Sequence, residues 1–299
     1  MSHHHDHSHG HHHHHGSENI KVAFFLNLFF TIIEIAGGFF TNSVAILSDA
    51  LHDFGDTLSL GLAWYFQNYS QKGRDKKFSY GYKRFSLLGA IINSIVLFIG
   101  SIFIISEAIP RLLNPEPILA KEMIWIAILG VIINGAAVVK LKKGTSLNEK
   151  AIALHLLEDV LGWVAVLIGS ILMYFFGWIW LDSVLSLAIA VFILVNAYKG
   201  IAMSLKIVMQ GTPSNVSTEK IKEELEKVGG VDSIHDLHVW TMDGEYVVAT
   251  LHVISSENLR INELQRIRDQ VRAVLEREYI DHSTIEIHTK ENDCLLEDC

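Results

Sequence analysis

Residues 44–66 read VAILSDALHDFGDTLSLGLAWYF. The stretch is long enough to cross the hydrocarbon core of a bilayer, which takes about 20 mostly apolar helical residues. Yet it carries Asp49, His52, Asp53 and Asp56. Each helical residue advances about 100°, so spacings of three, four and seven share a face, and the four groups fall within an arc of about 100°. A charged side chain at the centre of a spanning helix costs about 2.5–3.5 kcal/mol on insertion scales. Three carboxylates in one span therefore need a compensating cation or a water-filled cavity.

Around this segment the chain is built to match. Of 299 residues, 50% are hydrophobic and 19% charged, with a mean hydropathy of +0.30; a soluble domain averages about 25% charged. Hydropathy predicts six spans, at 21–40, 44–66, 85–109, 123–141, 151–176 and 181–205. This excludes a soluble globular protein and a disordered chain. The only cysteines are Cys294 and Cys299, so a disulfide scaffold is excluded too. Basic residues concentrate in alternate loops. Lys72, Arg74, Lys76, Lys77, Lys83 and Arg84 follow the second span, Lys140, Lys142, Lys143 and Lys150 follow the fourth, and Lys199 and Lys206 flank the end of the sixth. The opposite loops offer Arg111 and Lys121. The positive-inside rule then places both termini in the cytoplasm. Residues 212–299 carry 9 basic and 19 acidic side chains, which argues against nucleic acid as a partner and is compatible with cations.

The fifth span contains ALHLLED, with His155 and Asp159 on one stripe and Glu158 off it. The pattern His-x-x-x-Asp thus occurs twice, as His52/Asp56 and His155/Asp159. Facing each other, the pairs supply two imidazole nitrogens and two carboxylate oxygens, a tetrahedral set suited to Zn²⁺. Absence of thiols in the spans disfavours Cu(I), and two imidazoles disfavour Mg²⁺ and Ca²⁺; Co²⁺, Fe²⁺, Mn²⁺ and Ni²⁺ stay open. The competing reading is a hydrogen-bonded polar cluster that ties helices together; the matched pairs in separate spans favour metal. Asp49 and Asp53 are expected to support the ligands or line their cavity. Glu34 and Asn27, two helical turns apart in the first span, either line the same cavity or make packing contacts.

Ten of the 17 histidines lie in the first fifteen residues. Residues 1–19 form a low-complexity tail that reads either as a loose metal collector or as a purification tag. Residues 20–211 form the membrane domain. Residues 212–299 read as a cytoplasmic metal-binding regulatory domain in the order α-β-β-α-β: a helix at 220–228 after Ser217, strands at 235–241 and 246–254 joined by Asp243–Gly244, a helix at 262–279 and a strand at 284–288. Residues two apart in a strand share a face, so strand pairing is expected to gather His235, His252 and His288, with Cys294 and Cys299 near enough to add thiolates. His238, three residues from His235, faces the other side in a regular strand.

These motifs resemble the cation diffusion facilitators, and specifically the zinc-exporting members. The resemblance rests on SVAILSDALHDFGD, FSYGYKRF, ALHLLEDVLGW, HDLHVW and HSTIEIH, and covers nearly the whole chain after the tail. It implies a homodimer with a six-helix all-α membrane bundle per protomer, a cytoplasmic ferredoxin-like α+β domain, and export of a divalent metal in exchange for protons. Carried over by position, the transport site is His52, Asp56, His155 and Asp159. Zinc is the implied cargo and a regulatory ligand, and no organic cofactor is implied. Some family features differ. KKFSYGYKR lacks the histidine of an extra loop site, Gln210 stands where a partner aspartate for Arg84 is expected, and Lys290 replaces an acidic ligand after His288. Short loops favour a bacterial inner membrane.

Two other classes of protein could use such a donor set. An intramembrane zinc hydrolase needs three ligands, an open position for water and a nucleophile–base arrangement, and the sequence offers four matched ligands and no H-E-x-x-H. A passive cation channel or a membrane metal sensor is the remaining alternative: a channel would pass metal independently of a pH gradient, and a sensor would bind it without flux.

Overall fold

A computed structural model describes residues 14–141, 147–255 and 260–289. Long apolar runs satisfy their backbone groups internally by coiling, and six long helices result: α1 (His14–Thr41), α2 (Val44–Ser70), α3 (Phe85–Leu113), α4 (Ala120–Leu141), α5 (Leu147–Phe176) and α6 (Trp180–Val208). Four stretches among the described residues are long and apolar enough to cross a membrane, namely Phe85–Leu113, Ala120–Val139, Leu154–Phe176 and Trp180–Val208; Asn27–Thr41 is a shorter apolar helix. The absence of α2 from these four has a physical source. In α2 the row Asp49, His52, Asp53, Asp56 and the polar last turn dilute an otherwise apolar helix.

The chain divides into two compact units. One holds the described residues up to Tyr65 together with Gly89–Gly200; the other holds Phe66–Leu88 together with the described residues from Ile201 onward.

In the first unit, Phe30, Ile46, Met123, Ala127, Trp163, Val166 and Met173 form one core cluster. Gly130 lets α4 meet the Trp163 indole of α5, since a Cβ there would lie within 2.2 Å of the ring. The break between α1 and α2 is held by polar contacts. Asn42 takes the left-handed conformation (φ 55°) that ends a helix, and Arg111 donates to its carbonyl at 3.1 Å and its Oδ1 at 3.0 Å. Ser43 caps α2 through Ile46 N–H at 3.1 Å. Asp182, at the start of α6, then accepts from Ser43 Oγ at 2.5 Å and Val44 N–H at 2.8 Å. A carboxylate at a helix N-terminus satisfies orphan amides and complements the helix dipole. One turn further, Ser48 Oγ lies 2.9 Å from Ser186 Oγ.

In the second unit the order is α7 (Thr218–Glu226), β1 (Val231–Thr241), β2 (Val247–Ser255), α8 (Ile261–Arg277) and β3 (His282–Thr289). Strand order is β1-β2-β3, with β1/β2 antiparallel and β2/β3 parallel. A full ferredoxin-like unit is β-α-β-β-α-β; the described order starts at a helix and has one strand fewer. Helical spacing on α8 buries Ile267, Val271, Val274 and Leu275, and α7 adds Ile221 and Leu225. They pack on Ile234 and Val239 of β1 and on Leu251 and Val253 of β2. Both helices therefore cover one sheet face, and strand residues between the buried ones point to the other.

Candidate metal centres

In the first unit, α2 and α5 bring the two His-x-x-x-Asp rows together, and the rows are cross-paired. His155 Nε2 hydrogen-bonds Asp56 Oδ2 at 2.8 Å, while His52 Nε2 lies 3.6 Å from Asp159 Oδ1 and 3.9 Å from Asp56 Oδ2. The imidazole ring centres are 5.8 Å apart. His52, His155 and Asp159 each place a ligand atom within 4.8 Å of the others. Zinc ligands sit about 2.0–2.1 Å from the ion, so tetrahedral angles put ligand atoms about 3.3 Å apart; the His52–Asp159 separation of 3.6 Å is near that value, and Asp56 is not part of the group of three. Asp159 is 9% exposed, and its Oδ1 is buried without a hydrogen-bond partner. An orphaned carboxylate oxygen in an apolar bundle costs free energy unless something charged meets it. A divalent cation would.

Asp49 and Asp53 are buried on the same helix, and Gly162 of α5 faces Asp49, its position 3.6 Å from Asp49 Oδ1 for an added Cβ. Glu34 of α1 is fully buried, with both carboxylate oxygens lacking a hydrogen-bond partner. It neighbours Asp53 and Asp49. Asn27 plays another part: its Nδ2 donates to the Asp53 carbonyl at 3.1 Å and to Thr57 Oγ1 at 3.0 Å, tying α1 to α2.

The second unit carries its own cluster, on the sheet face that the helices leave open. His252, Glu286 and His288 place ligand atoms within 4.8 Å of one another. Glu286 lies 3.6 Å from His252 Nε2 and 3.4 Å from His288 Nε2, and His288 Nε2 is buried without a hydrogen-bond partner. That orphaned nitrogen and the imidazole–carboxylate donor set fit Zn²⁺.

The sequence expectation differs here in three places. His235 is opposite His252 in the ladder, but its Nε2 meets Ser233 Oγ at 2.9 Å, and it is not part of the cluster. The carboxylate comes from Glu286, two residues before His288 on the same strand face, and not from the position after His288 where Lys290 stands. And His238 does not face away from His235. A bulge lies between them, with Asp236 at φ 50°; it adds one residue, so His235 opposes His252 and His238 opposes Thr250. A one-residue insertion flips the following side chains to the other face. Asp236 then bridges, 2.7 Å from His238 Nε2 and 3.7 Å from His252 Nε2. Cys294, Cys299 and the first thirteen residues lie outside the described residues.

Imidazoles and carboxylates between membrane-length helices, with an α+β domain on the same chain, define a helical membrane protein of the metal-transporting class. Comparison with known proteins makes this specific. Residues 20–209 match the family model described as "Cation efflux transmembrane domain", and residues 213–291 the one described as "Cation efflux protein, cytoplasmic domain". Over 275 residues the chain is 34% identical to the "Cadmium, cobalt and zinc/H(+)-K(+) antiporter" of Bacillus subtilis, spanning 91% of this chain and 88% of that one. It is 34% identical over 271 residues to the "Metal cation efflux system protein CzcD" of Cupriavidus metallidurans (90% and 85%). It is 31% identical over 288 residues to the "Zinc transporter ZitB" of Yersinia pseudotuberculosis (95% and 90%). The chain belongs to the cation diffusion facilitator family. It is an integral membrane protein, a transporter and not an enzyme.

Proposed function

We propose that this chain exports a divalent metal, zinc foremost, from the cytosol by exchange for protons, with His52, Asp56, His155 and Asp159 as the transport site. The observation that carries the reading is the cross-pairing of the two rows between α2 and α5, with Asp159 Oδ1 beside His52 Nε2 at 3.6 Å yet in no hydrogen bond. The printed names of the relatives support the cargo.

The chemistry follows from competition. Neutral imidazole and ionised carboxylate bind metal, whereas their protonated forms do not. A site open to the cytosol takes the metal and gives up protons. Open to the other side, protons return and the metal leaves. Each histidine is held by the opposite helix's aspartate, so separating α2 from α5 breaks both ligand pairs at once. Such a movement converts a tight site into a loose one, as alternating access requires. Buried Asp49, Asp53 and Glu34 add carboxyl oxygens at the same depth, a setting that suits a cation better than an anion.

The topology behind this reading is six spans with both termini cytoplasmic, in the plasma membrane of a bacterium. At 1.5 Å per residue, α2 with 27 residues and α1 with 28 are each about 40 Å long, enough to cross. The boundaries are those of the sequence: a tail at 1–19, the membrane domain at 20–211 and the cytoplasmic domain at 212–299. The last is a one-strand-short ferredoxin-like unit that binds regulatory zinc through His252, His288 and Glu286 and pairs two protomers.

Purified protein in proteoliposomes, with zinc uptake read from a fluorescent chelator under an imposed pH gradient, tests the mechanism. Uptake is expected to collapse with the gradient and in Asp159→Asn. Gradient-independent flux would point to a channel, and full activity in Asp159→Asn would overturn the site.

A further inference from the structure

The segment directly after α2 is the most basic part of the chain. Between Ser70 and Phe85 it holds Lys72, Arg74, Lys76, Lys77, Lys83 and Arg84 against the single acid Asp75. Such a run normally repels itself into disorder, but this one is folded. Asp75 Oδ1 accepts from Lys77 N–H at 2.8 Å and Phe78 N–H at 2.9 Å, and its Oδ2 accepts from Tyr82 Oη at 2.7 Å. Gly81 takes a positive φ of 79° to close the turn. The rings of Phe78, Tyr82 and Phe85 cluster in tilted and edge-on contacts at centroid distances of 4.6–5.8 Å. The only acid of the segment is thus engaged inside it, with Lys72 at 4.0 Å, while Lys72, Arg74, Lys76 and Lys77 remain exposed.

The folded segment packs against the β-domain in its own unit. Lys83 Nζ sits 4.1 Å over the Tyr246 ring, and the Tyr80 ring meets His282 edge-on at 5.8 Å. Between them lies a cleft of about 750 Å³, lined by Lys72, Arg74, Lys83, Tyr80, Tyr246 and His282 among others. Its one acidic wall group, Asp243, is held in its own turn, where its Oδ1 accepts from Glu245 N–H at 3.0 Å and Tyr246 N–H at 2.8 Å. In a chain of net charge −9, this is a pocket whose described walls set three cations against one carboxylate.

We propose that the cleft binds a phosphate group, and that the phosphate is the headgroup of an anionic phospholipid. The position argues for a lipid source: the cleft begins at Ser70, where a membrane helix ends, and basic residues immediately cytoplasmic of a spanning helix attract anionic headgroups. The rim argues likewise, since Phe78, Tyr80 and Tyr69 are exposed beside the cations, the mix of aromatic and basic side chains that settles at a membrane interface. A headgroup there would bridge the segment to the β-hairpin turn.

The test is native mass spectrometry of the full-length protein in zwitterionic detergent, titrated with phosphatidylglycerol, phosphatidylcholine or inorganic phosphate. Phosphatidylglycerol is expected to bind preferentially, and Lys72→Gln/Arg74→Gln/Lys83→Gln to weaken it on the order of a hundredfold. The control Lys121→Gln/Lys199→Gln/Lys222→Gln removes equal charge elsewhere and is expected to bind as wild type. Equal weakening in the control would overturn the site as mere surface electrostatics. Binding of inorganic phosphate that needs the same three cations, with no preference for phosphatidylglycerol, would overturn the lipid source in favour of free phosphate. Binding of neither would overturn the proposal entirely.

Discussion

The two candidate metal centres use similar donors in opposite settings. Between α2 and α5, two histidines and two aspartates repeat at helical spacing inside a bundle, and each acid meets the other helix's imidazole. On the β-domain, His252, His288 and Glu286 sit on the open face of a three-stranded sheet, and Glu286 is 63% exposed. The first site can be taken apart by moving two helices. The second rests on adjacent, hydrogen-bonded strands and has no comparable freedom. One suits cargo that must be released, the other a ligand that stays.

The sharpest way to break this contrast is to remove one ligand from each. Asp159→Asn or His155→Ala is expected to reduce zinc transport by at least about 100-fold, beyond the 10–100-fold typical of a supporting residue. Glu286→Gln should leave the maximal transport rate within about threefold and instead raise the zinc concentration needed. Equal losses in vesicle flux assays would erase the distinction between cargo site and regulatory site.

Next in size is the comparison inside the β-domain. In an Asp159→Asn background, zinc titration reads the cytoplasmic site alone. His288→Ala should weaken that binding about 10–100-fold, whereas His235→Ala should change it less than about threefold. A large effect of His235→Ala would mean that the ring leaves Ser233 to join the metal.

Zinc addition should also stabilise the domain. At about 100 times the dissociation constant a ligand adds about 2.7 kcal/mol, visible as a rise in melting temperature of the Asp159→Asn protein that a chelator abolishes and His288→Ala lacks.

The smallest effect concerns the basic segment. Hydrogen bonds from the Tyr82 hydroxyl and the Phe78 and Lys77 amides hold the Asp75 carboxyl below its ordinary value of 3.8. A group with a depressed folded pKa stabilises above its unfolded pKa and loses that contribution as pH falls through the folded one. The turn should therefore persist at neutral pH and loosen only below about pH 4. Tyr82 is raised by the same contact, so its contribution holds at neutral pH and is lost as pH rises beyond the usual tyrosine range. Tyrosine fluorescence across pH, with Asp75→Asn lacking the acid transition, checks both signs.

The helical site was legible because a helix converts sequence spacing into a face: His52/Asp56 and His155/Asp159 needed only the 3.6-residue period and a reason to meet. Element order in the β-domain was legible for the same kind of reason, from alternation on β2 and the apolar stripe Ile267, Val271, Val274 on α8. The strand cluster was harder to read. A bulge at Asp236 shifts every later side chain of β1 by one face, and nothing in HDLHVW announces it. Glu286 lies two residues before His288, and strand alternation counts equally in both directions, so spacing alone does not choose it over position 290. Asp182 gave no sequence signal of its partner, since its contacts with Ser43 and Val44 span almost the whole membrane domain.

That last contact constrains how the protein can move. Asp182 and Ser186 of α6 pin the first turns of α2 through Ser43, Val44 and Ser48, while the far end of α2 runs on toward Ser70. A rod fastened at one tip sweeps its widest arc at the other. Any tilt that parts Asp56 from His155 is thus levered from the Asp182 end.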